Sequence, residues 1–303
     1  MRIIFAGTPD TSVPSLERLN EDHEVLAVLT RAPAPVGRKR VLTKSAVHDR
    51  AEELGLSVFT PATLKDAQVQ AQIAELDPQA VAVVAYGLLV PQELLDVPEH
   101  GWLNLHFSLL PRWRGAAPVQ YAIAHGDRVT GTAVFQIEAG LDTGPVYDVR
   151  EHAIADSDTA ESLLAVLAES GARQLSEVFT ALDSGVASAS PQEGEATLAP
   201  RLTSKDARID WSAPAEAVSA RTRGWWPAPG AWSEMAGTRV KLGPAAVTDV
   251  EGLRPGQIGT DGLVGTGTTA VRLSRVGPAG KAWMEAADWI RGLHGESSFE
   301  VAR

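Results

Sequence analysis

Apolar positions in the first half of this chain follow two alternating rhythms. Residues 2–6, 24–30, 57–59, 80–85, 102–107, 130–137 and 145–151 form short runs with many Val, Ile, Leu and Phe side chains, and each run predicts a strand. Between them, residues 11–19, 44–54, 66–76 and 119–125 carry apolar side chains at helical spacing; Gly55 and the Asp77-Pro78 pair supply two of the stops. Residues 80–85 are apolar without a break, as a central parallel strand covered on both faces must be. Strands alternating with helices predict a doubly wound, mostly parallel, Rossmann-like sheet, whose ligands sit at the carboxyl ends of the strands. Asp158 with Glu161 predicts a capping box, followed by a long helix that packs Leu163, Leu167, Leu175, Phe179 and Leu182 on the sheet.

The pattern then changes. Residues 1–187 make one α/β domain. Residues 188–206, with Ser, Ala, Gly and Pro and few large apolar groups, read as a linker. Residues 207–303 carry short strands at 231–235, 238–242, 257–260, 263–265 and 270–276, punctuated by Gly, and a last helix at 285–293. That predicts a small OB-like β-barrel.

Charge narrows the choice of partners. The formal net charge is −11, from 27 basic and 38 acidic residues, of which only 11 and 10 lie in 207–303. The acid excess sits in the first 206 residues, so a polyanion would have to be met by a local patch. Two acid-free stretches offer one: Arg31, Arg38, Lys39, Arg40 and Lys44 in the first domain, and Arg272, Arg275 and Lys281 in the second. The chain has no cysteine, which excludes disulfides and thiolate chemistry and fits a cytoplasmic setting. No apolar run approaches the roughly 20 residues that cross a bilayer, so no membrane partner is expected. The seven histidines include no His-x-x-x-His pair, so no metal site is expected.

The candidate chemistry lies between residues 104 and 144. Strand alternation turns Asn104 and His106 to one face and Leu103 and Leu105 to the other. An amide that never ionises can donate to a developing oxyanion, and an imidazole can carry a proton at neutral pH. Asp142, on a turn flanked by Gly140 and Gly144, would raise the pKa of a nearby imidazole and orient its ring. Ser108-Leu-Leu-Pro111 offers an apolar wall and carbonyls to a flat ligand. Arg112-Trp113-Arg114 suits a phosphate-bearing substrate, or else anchors the loop through the indole. Asp142-Thr-Gly144 and Asp183-Ser-Gly185 also suggest the paired turns of an aspartic protease, but the second follows a helix. Gly7-Thr-Pro9 lacks the Gly-x-Gly-x-x-Gly phosphate cradle of a dehydrogenase.

The run Asn104-Leu-His-Phe-Ser-Leu-Leu-Pro-Arg-Trp-Arg-Gly-Ala-Ala-Pro118, with Leu141-Asp-Thr-Gly144 downstream, resembles the folate-dependent formyltransferases. Ile3-Ile-Phe-Ala-Gly-Thr-Pro-Asp10, Val83-Val-Ala-Tyr-Gly-Leu-Leu-Val-Pro91 and Ala207-Arg-Ile-Asp-Trp211 are similar to the same family, in the same order. The resemblance implies 10-formyltetrahydrofolate as co-substrate and methionyl-initiator tRNA as acceptor, for the initiation of protein synthesis. It implies Asn104, His106 and Asp142 as the catalytic trio, Ser108, Leu109, Leu110 and Pro111 as the folate-site lining, and Arg38, Lys39 and Arg40 as a loop laid against the acceptor stem. A monomer is expected. In the implied mechanism the methionyl amine attacks the formyl carbon directly. Asn104 and protonated His106 stabilise the oxyanion, and Asp142 tunes His106 and holds a proton-relaying water. Phe107 departs from the pattern, which has a small Gly there, and is expected to reshape the pocket wall. Sister enzymes that formylate amino-sugar nucleotides or purine precursors are the near alternative. The extra domain and Arg-Trp-Arg-Gly-Ala-Ala-Pro favour tRNA.

Overall fold

The structure is a computed structural model that describes residues 1–37, 39–293 and 297–301. The chain divides into two compact units, one of residues 1–114, 131–152 and 164–198, the other of 115–130, 153–163 and 199–303.

The first half of the chain alternates as its pattern requires. β1 (Arg2–Gly7), α1 (Val13–Asp22) and β2 (Glu24–Leu29) are followed by a small hairpin, β3 (Ala34–Val36) and β4 (Val41–Thr43). Then come α2 (Ala46–Glu53), β5 (Val58–Phe59), α3 (Ala67–Glu75), β6 (Ala80–Val84), α4 (Gln92–Leu95) and β7 (Trp102–His106). α5 (Pro118–Ala124), β8 (Val129–Gln136), β9 (Val146–Ala153) and the 24-residue α6 (Ala160–Asp183) complete the series. The seven-stranded sheet has the order β5-β2-β1-β6-β7-β8-β9. β5, β2, β1, β6 and β7 are parallel to their neighbours, and β8 runs antiparallel to β7. The chain winds outward from β1 to β2 and β5, then returns to β6 on the other side of β1. That reversal opens a crevice at the carboxyl ends of β1 and β6. Ser12 Oγ and Thr8 Oγ1 span it, donating to the carbonyls of Val84 and Tyr86 at 2.7 and 3.1 Å.

Alternation sorts the two faces of the sheet. Ile4, Ala6, Val81, Val83 and Trp102 are buried with Ile73 and Val69 of α3 and Leu94 of α4. On the opposite face Leu105 meets α6 at Gly171, where an added Cβ would sit 2.8 Å from a Leu105 methyl. A glycine in the middle of a helix costs about 1 kcal/mol relative to alanine; here it allows close helix–sheet approach. The cap of α6 differs from the expected one. Thr159 and Ser162 exchange hydrogen bonds across the first turn (3.0 and 3.1 Å), while Asp158 accepts from the Ala155 N–H at 2.8 Å. Thr159, not Asp158, closes the N-terminus because its hydroxyl reaches the N–H of Ser162 three residues on.

The second unit holds α7 (Ala215–Gly224), β10 (Trp232–Met235), β11 (Thr238–Leu242), β12 (Ala245–Val247), β13 (Leu263–Gly265), β14 (Ala270–Leu273), β15 (Arg275–Pro278), β16 (Met284–Glu285) and α8 (Ala286–Arg291). Its strands form two antiparallel sheets, β10-β11-β15-β16 and β12-β14-β13, around one core. Trp211 is fully buried in that core, stacked on Phe299 with ring centroids 5.2 Å apart. The strand expected at 257–260 is present only as isolated bridges, Gln257 to Ser298 and Ile258 to Val264.

Candidate active site

β7 places Asn104 and His106 on one face, as strand alternation requires. Leu103 and Leu105 on the other face are 0% and 2% exposed. β8 lies beside them, with Phe135 opposite Asn104 and Ala133 opposite His106. The Phe135 ring stands edge-on to the imidazole at 6.2 Å. Asn104 is half-buried and His106 is 5% exposed.

Asp142 comes to this face from the loop after β8. Its Oδ2 lies 3.9 Å from His106 Nδ1. The other ring nitrogen, Nε2, is 2.9 Å from the Trp113 carbonyl oxygen. A carbonyl can only accept, so Nε2 carries the proton, and in the neutral ring Nδ1 keeps its lone pair toward Asp142. The pKa of His106 lies below its ordinary value. Burial is the largest cause; the Asp142 charge and the Trp113 carbonyl both oppose it. The carboxylate thus acts in the expected direction and is outweighed, because water is excluded from the imidazole. Burial therefore favours the neutral ring at rest, whereas the expected mechanism has the ring protonated as the oxyanion forms.

The turn that carries Asp142 is sharply constrained. Asp142 has φ +51°, in the left-handed region that side chains with a Cβ disfavour. A Cβ on Gly144 would collide with the Gln136 carbonyl oxygen. These constraints come from the tertiary fold, and the Gly residues were the only sign of them in the sequence.

The loop 108–114 is more internally committed than its composition suggested. Ser108 is fully buried and its Oγ donates to the Arg112 carbonyl at 2.6 Å, so this hydroxyl shapes the loop. Leu109 reaches within 2.6 Å of where a Cβ on Gly131 would lie. Leu110 packs with Ala133 and Phe135 beside the Asn104–His106 face, and Pro111 follows it, buried. Trp113 is 6% exposed and is the loop's anchor, with the Arg112 guanidinium 4.5 Å over its ring. Arg114 is held by Gln192, so of this pair only Arg112 is exposed. Phe107, the departure from the family pattern, is 7% exposed and takes its place in the core.

Two loops at this end of the sheet carry exposed apolar side chains, and one buried hydroxyl lacks a partner. Leu89 and Leu141, on the loops after β6 and β8, are 86% and 60% exposed. The Tyr86 hydroxyl is buried without a hydrogen-bond partner, and burial pushes its pKa up. Exposed apolar side chains and an unsatisfied hydroxyl suit a flat, heteroatom-bearing ligand. Among the described residues no group of His, Cys, Asp and Glu is arranged to hold a metal ion.

The basic loop is the β3–β4 hairpin. Lys39 and Arg40 are exposed at its turn, next to exposed Val36, Val41 and Leu42. Arg38 lies outside the described residues. Asp183, in the second of the paired sequences, is the last residue of α6, so Asp142 and Asp183 do not form two matching carboxylate turns.

Gln192 and Thr197 escaped sequence reasoning. Both lie in the stretch read as linker, and both bond to the site loops. A polar residue in a Ser-, Gly- and Pro-rich run carries no local signal of such a role.

Sequence patterns described as formyl transferase and as formyl transferase C-terminal domain match residues 1–179 and 201–294. The chain is 53% identical over 297 residues to the methionyl-tRNA formyltransferase of Arthrobacter sp. (strain FB24), covering 96% of this chain and 97% of that one. It is 54% identical over 298 residues to that of Paenarthrobacter aurescens (strain TC1), covering 97% of each. Among solved structures, methionyl-tRNA formyltransferase from Clostridium thermocellum is similar with a TM-score of 0.59 and 18% identity, over 83% of this chain and 95% of that one. At that identity the likeness concerns the fold. No helix of the described residues is long and apolar enough to cross a membrane.

Proposed function

The chain belongs to the formyl transferase family, and from that premise we propose that it transfers the formyl group of 10-formyltetrahydrofolate to the free amino group of methionyl-initiator tRNA. The observation that carries the chemistry is the buried His106 facing the Asp142 carboxylate at 3.9 Å, on the same strand face as Asn104.

The folate supplies a formyl carbon bound to a nitrogen leaving group. The methionyl amine forms the new C–N bond and the old one breaks. His106, neutral with a lone pair on Nδ1, takes the proton that the attacking amine sheds, and the departing nitrogen gains one. The imidazolium then lies beside Asp142, whose charge stabilises it. Asn104 donates an amide N–H to the carbonyl oxygen as that oxygen gains charge. Leu110 and Pro111, with Ser108 and Leu109 shaping the loop, would line the folate site beside exposed Leu89 and Leu141. Lys39 and Arg40, with Arg38, would meet acceptor-stem phosphates, and the second unit would grip the rest of the tRNA; phosphate contacts make such binding salt-dependent. A chain without cysteine suits the cytoplasm. We take the working form to be a monomer, which light scattering would check.

The test is a formylation assay with charged initiator and charged elongator tRNA. We expect activity on the first, and His106→Ala should abolish it while tRNA binding survives. Unchanged formylation by that variant would refute the role given to His106.

A further inference from the structure

We propose that residues 188–198 are a positioning strap for the His106–Asp142 pair, with Gln192 and Thr197 as its positioning residues. This rests on the formyl-transfer reading above.

The strap begins as an antiparallel bridge. Ser190 and Val146 exchange both backbone hydrogen bonds, at 2.8 and 2.9 Å, just past the Asp142 turn. Gln192 Nε2 then donates to two carbonyls of that turn, Asp142 and Gly144, each at 2.8 Å. Gln192 Oε1 accepts from Arg114 Nε and Nη2 at 3.1 and 2.6 Å. The guanidinium fixes which end of the amide faces which way, because it can only donate. One side chain therefore ties the turn that carries Asp142 to the loop that carries Trp113.

Thr197 holds that second loop. Its Oγ1 accepts from the Trp113 N–H at 2.9 Å, and its carbonyl accepts from the Arg114 N–H at 2.9 Å. The Trp113 carbonyl is the acceptor of His106 Nε2–H. Trp113 has φ +59° and Asp142 φ +51°. Neither residue would choose that conformation alone, so bonds from outside each loop must hold it. The strap supplies bonds to both. Gln192 sets where the carboxylate sits, and Thr197 sets the carbonyl that fixes the imidazole tautomer. Each group acts on the reaction through another residue.

The Asp142 charge and the Trp113 carbonyl both raise the His106 pKa. Loosening either should lower it and move the acid limb of the kcat/KM profile to lower pH. The test measures kcat, KM and this profile for Gln192→Ala, Thr197→Val and Thr197→Ser, and for Gln192→Ala on an Asp142→Asn background. We expect Gln192→Ala to lower kcat about tenfold or more, with KM for both substrates within about threefold. Thr197→Val should follow it in direction, and Thr197→Ser should stay near wild type. On the Asp142→Asn background, Gln192→Ala should cost less than about threefold more, because the charge that it positions is already gone. A loss that multiplies in full on that background overturns the proposal. So does a uniform loss at every pH with the limb unmoved, whatever happens to Tm. Failure of the wild-type chain to formylate charged initiator tRNA would take down the functional reading and the strap together. A working wild type with Gln192→Ala indistinguishable from it takes down the strap alone.

Discussion

Asp142→Asn tests the electrostatic core of the site. Asparagine keeps the shape of the side chain and removes its charge, and the turn stays tied through its backbone carbonyls to Gln192. At 3.9 Å two unit charges attract by about 4 kcal/mol at an effective dielectric near 20 and about 1 kcal/mol in bulk water. The His106 and Asp142 side chains are 6% and 16% exposed, so the pair lies nearer the first limit. If His106 bears most of a charge in the transition state, removing the carboxylate costs about 2–4 kcal/mol, a fall in kcat of about thirtyfold to a thousandfold. The pH dependence has a definite sign. The carboxylate favours the charged ring, and burial favours the neutral one. Without the carboxylate the His106 pKa falls further. The acid limb, where a protonated ring cannot act as a base, moves to lower pH. Formylation rates with charged initiator tRNA, measured between about pH 5.5 and 9 on either side of the ordinary His pKa, would show both effects. A variant within about threefold of wild type near pH 7.5, with its acid limb in place, would show that His106 gathers no charge in the rate-limiting step or that Asp142 is not its counter-charge.

Other substitutions probe separate links of the argument. Gly144→Ala should lower kcat at least about tenfold by driving the Asp142 turn off the Gln136 carbonyl, with folding checked by thermal melting. Lys39→Ala with Arg40→Ala, at the exposed hairpin turn, should raise KM for tRNA and reduce the salt slope of its binding by about one per lost phosphate contact; kcat at saturation should hold. Trp211→Ala removes a fully buried ring stacked on Phe299 and bonded through Nε1 to Ser233 at 2.9 Å. It should cost about 3–5 kcal/mol of stability, read by denaturant titration.

Much of the fold was legible because its rules are local. The uninterrupted apolar run at β6 could only be a strand covered twice, and β7 alternation put Asn104 and His106 on one face. Elements whose stabilising contacts lie elsewhere in the chain were not legible. The β3–β4 hairpin exposes Val36, Val41 and Leu42, so no buried periodicity marks it. Residues 257–260 carry a strand-like composition but find only single bridging partners.

The sequence by itself determined the chemical inventory: an amide, an imidazole and a carboxylate on strand ends and tight turns, with no thiol to offer another route. Only the tertiary structure decided how these groups behave. The approach of Asp142 to His106 depends on how β8 turns back across the sheet. The lowered pKa of the ring depends on burial, which is a sum over every neighbour that displaces water. The role of residues 188–198 depends on hydrogen bonds to loops far away in the chain. Periodicity records what a segment does with its own nearest turns and faces; desolvation and long-range bonding are properties of the assembled chain.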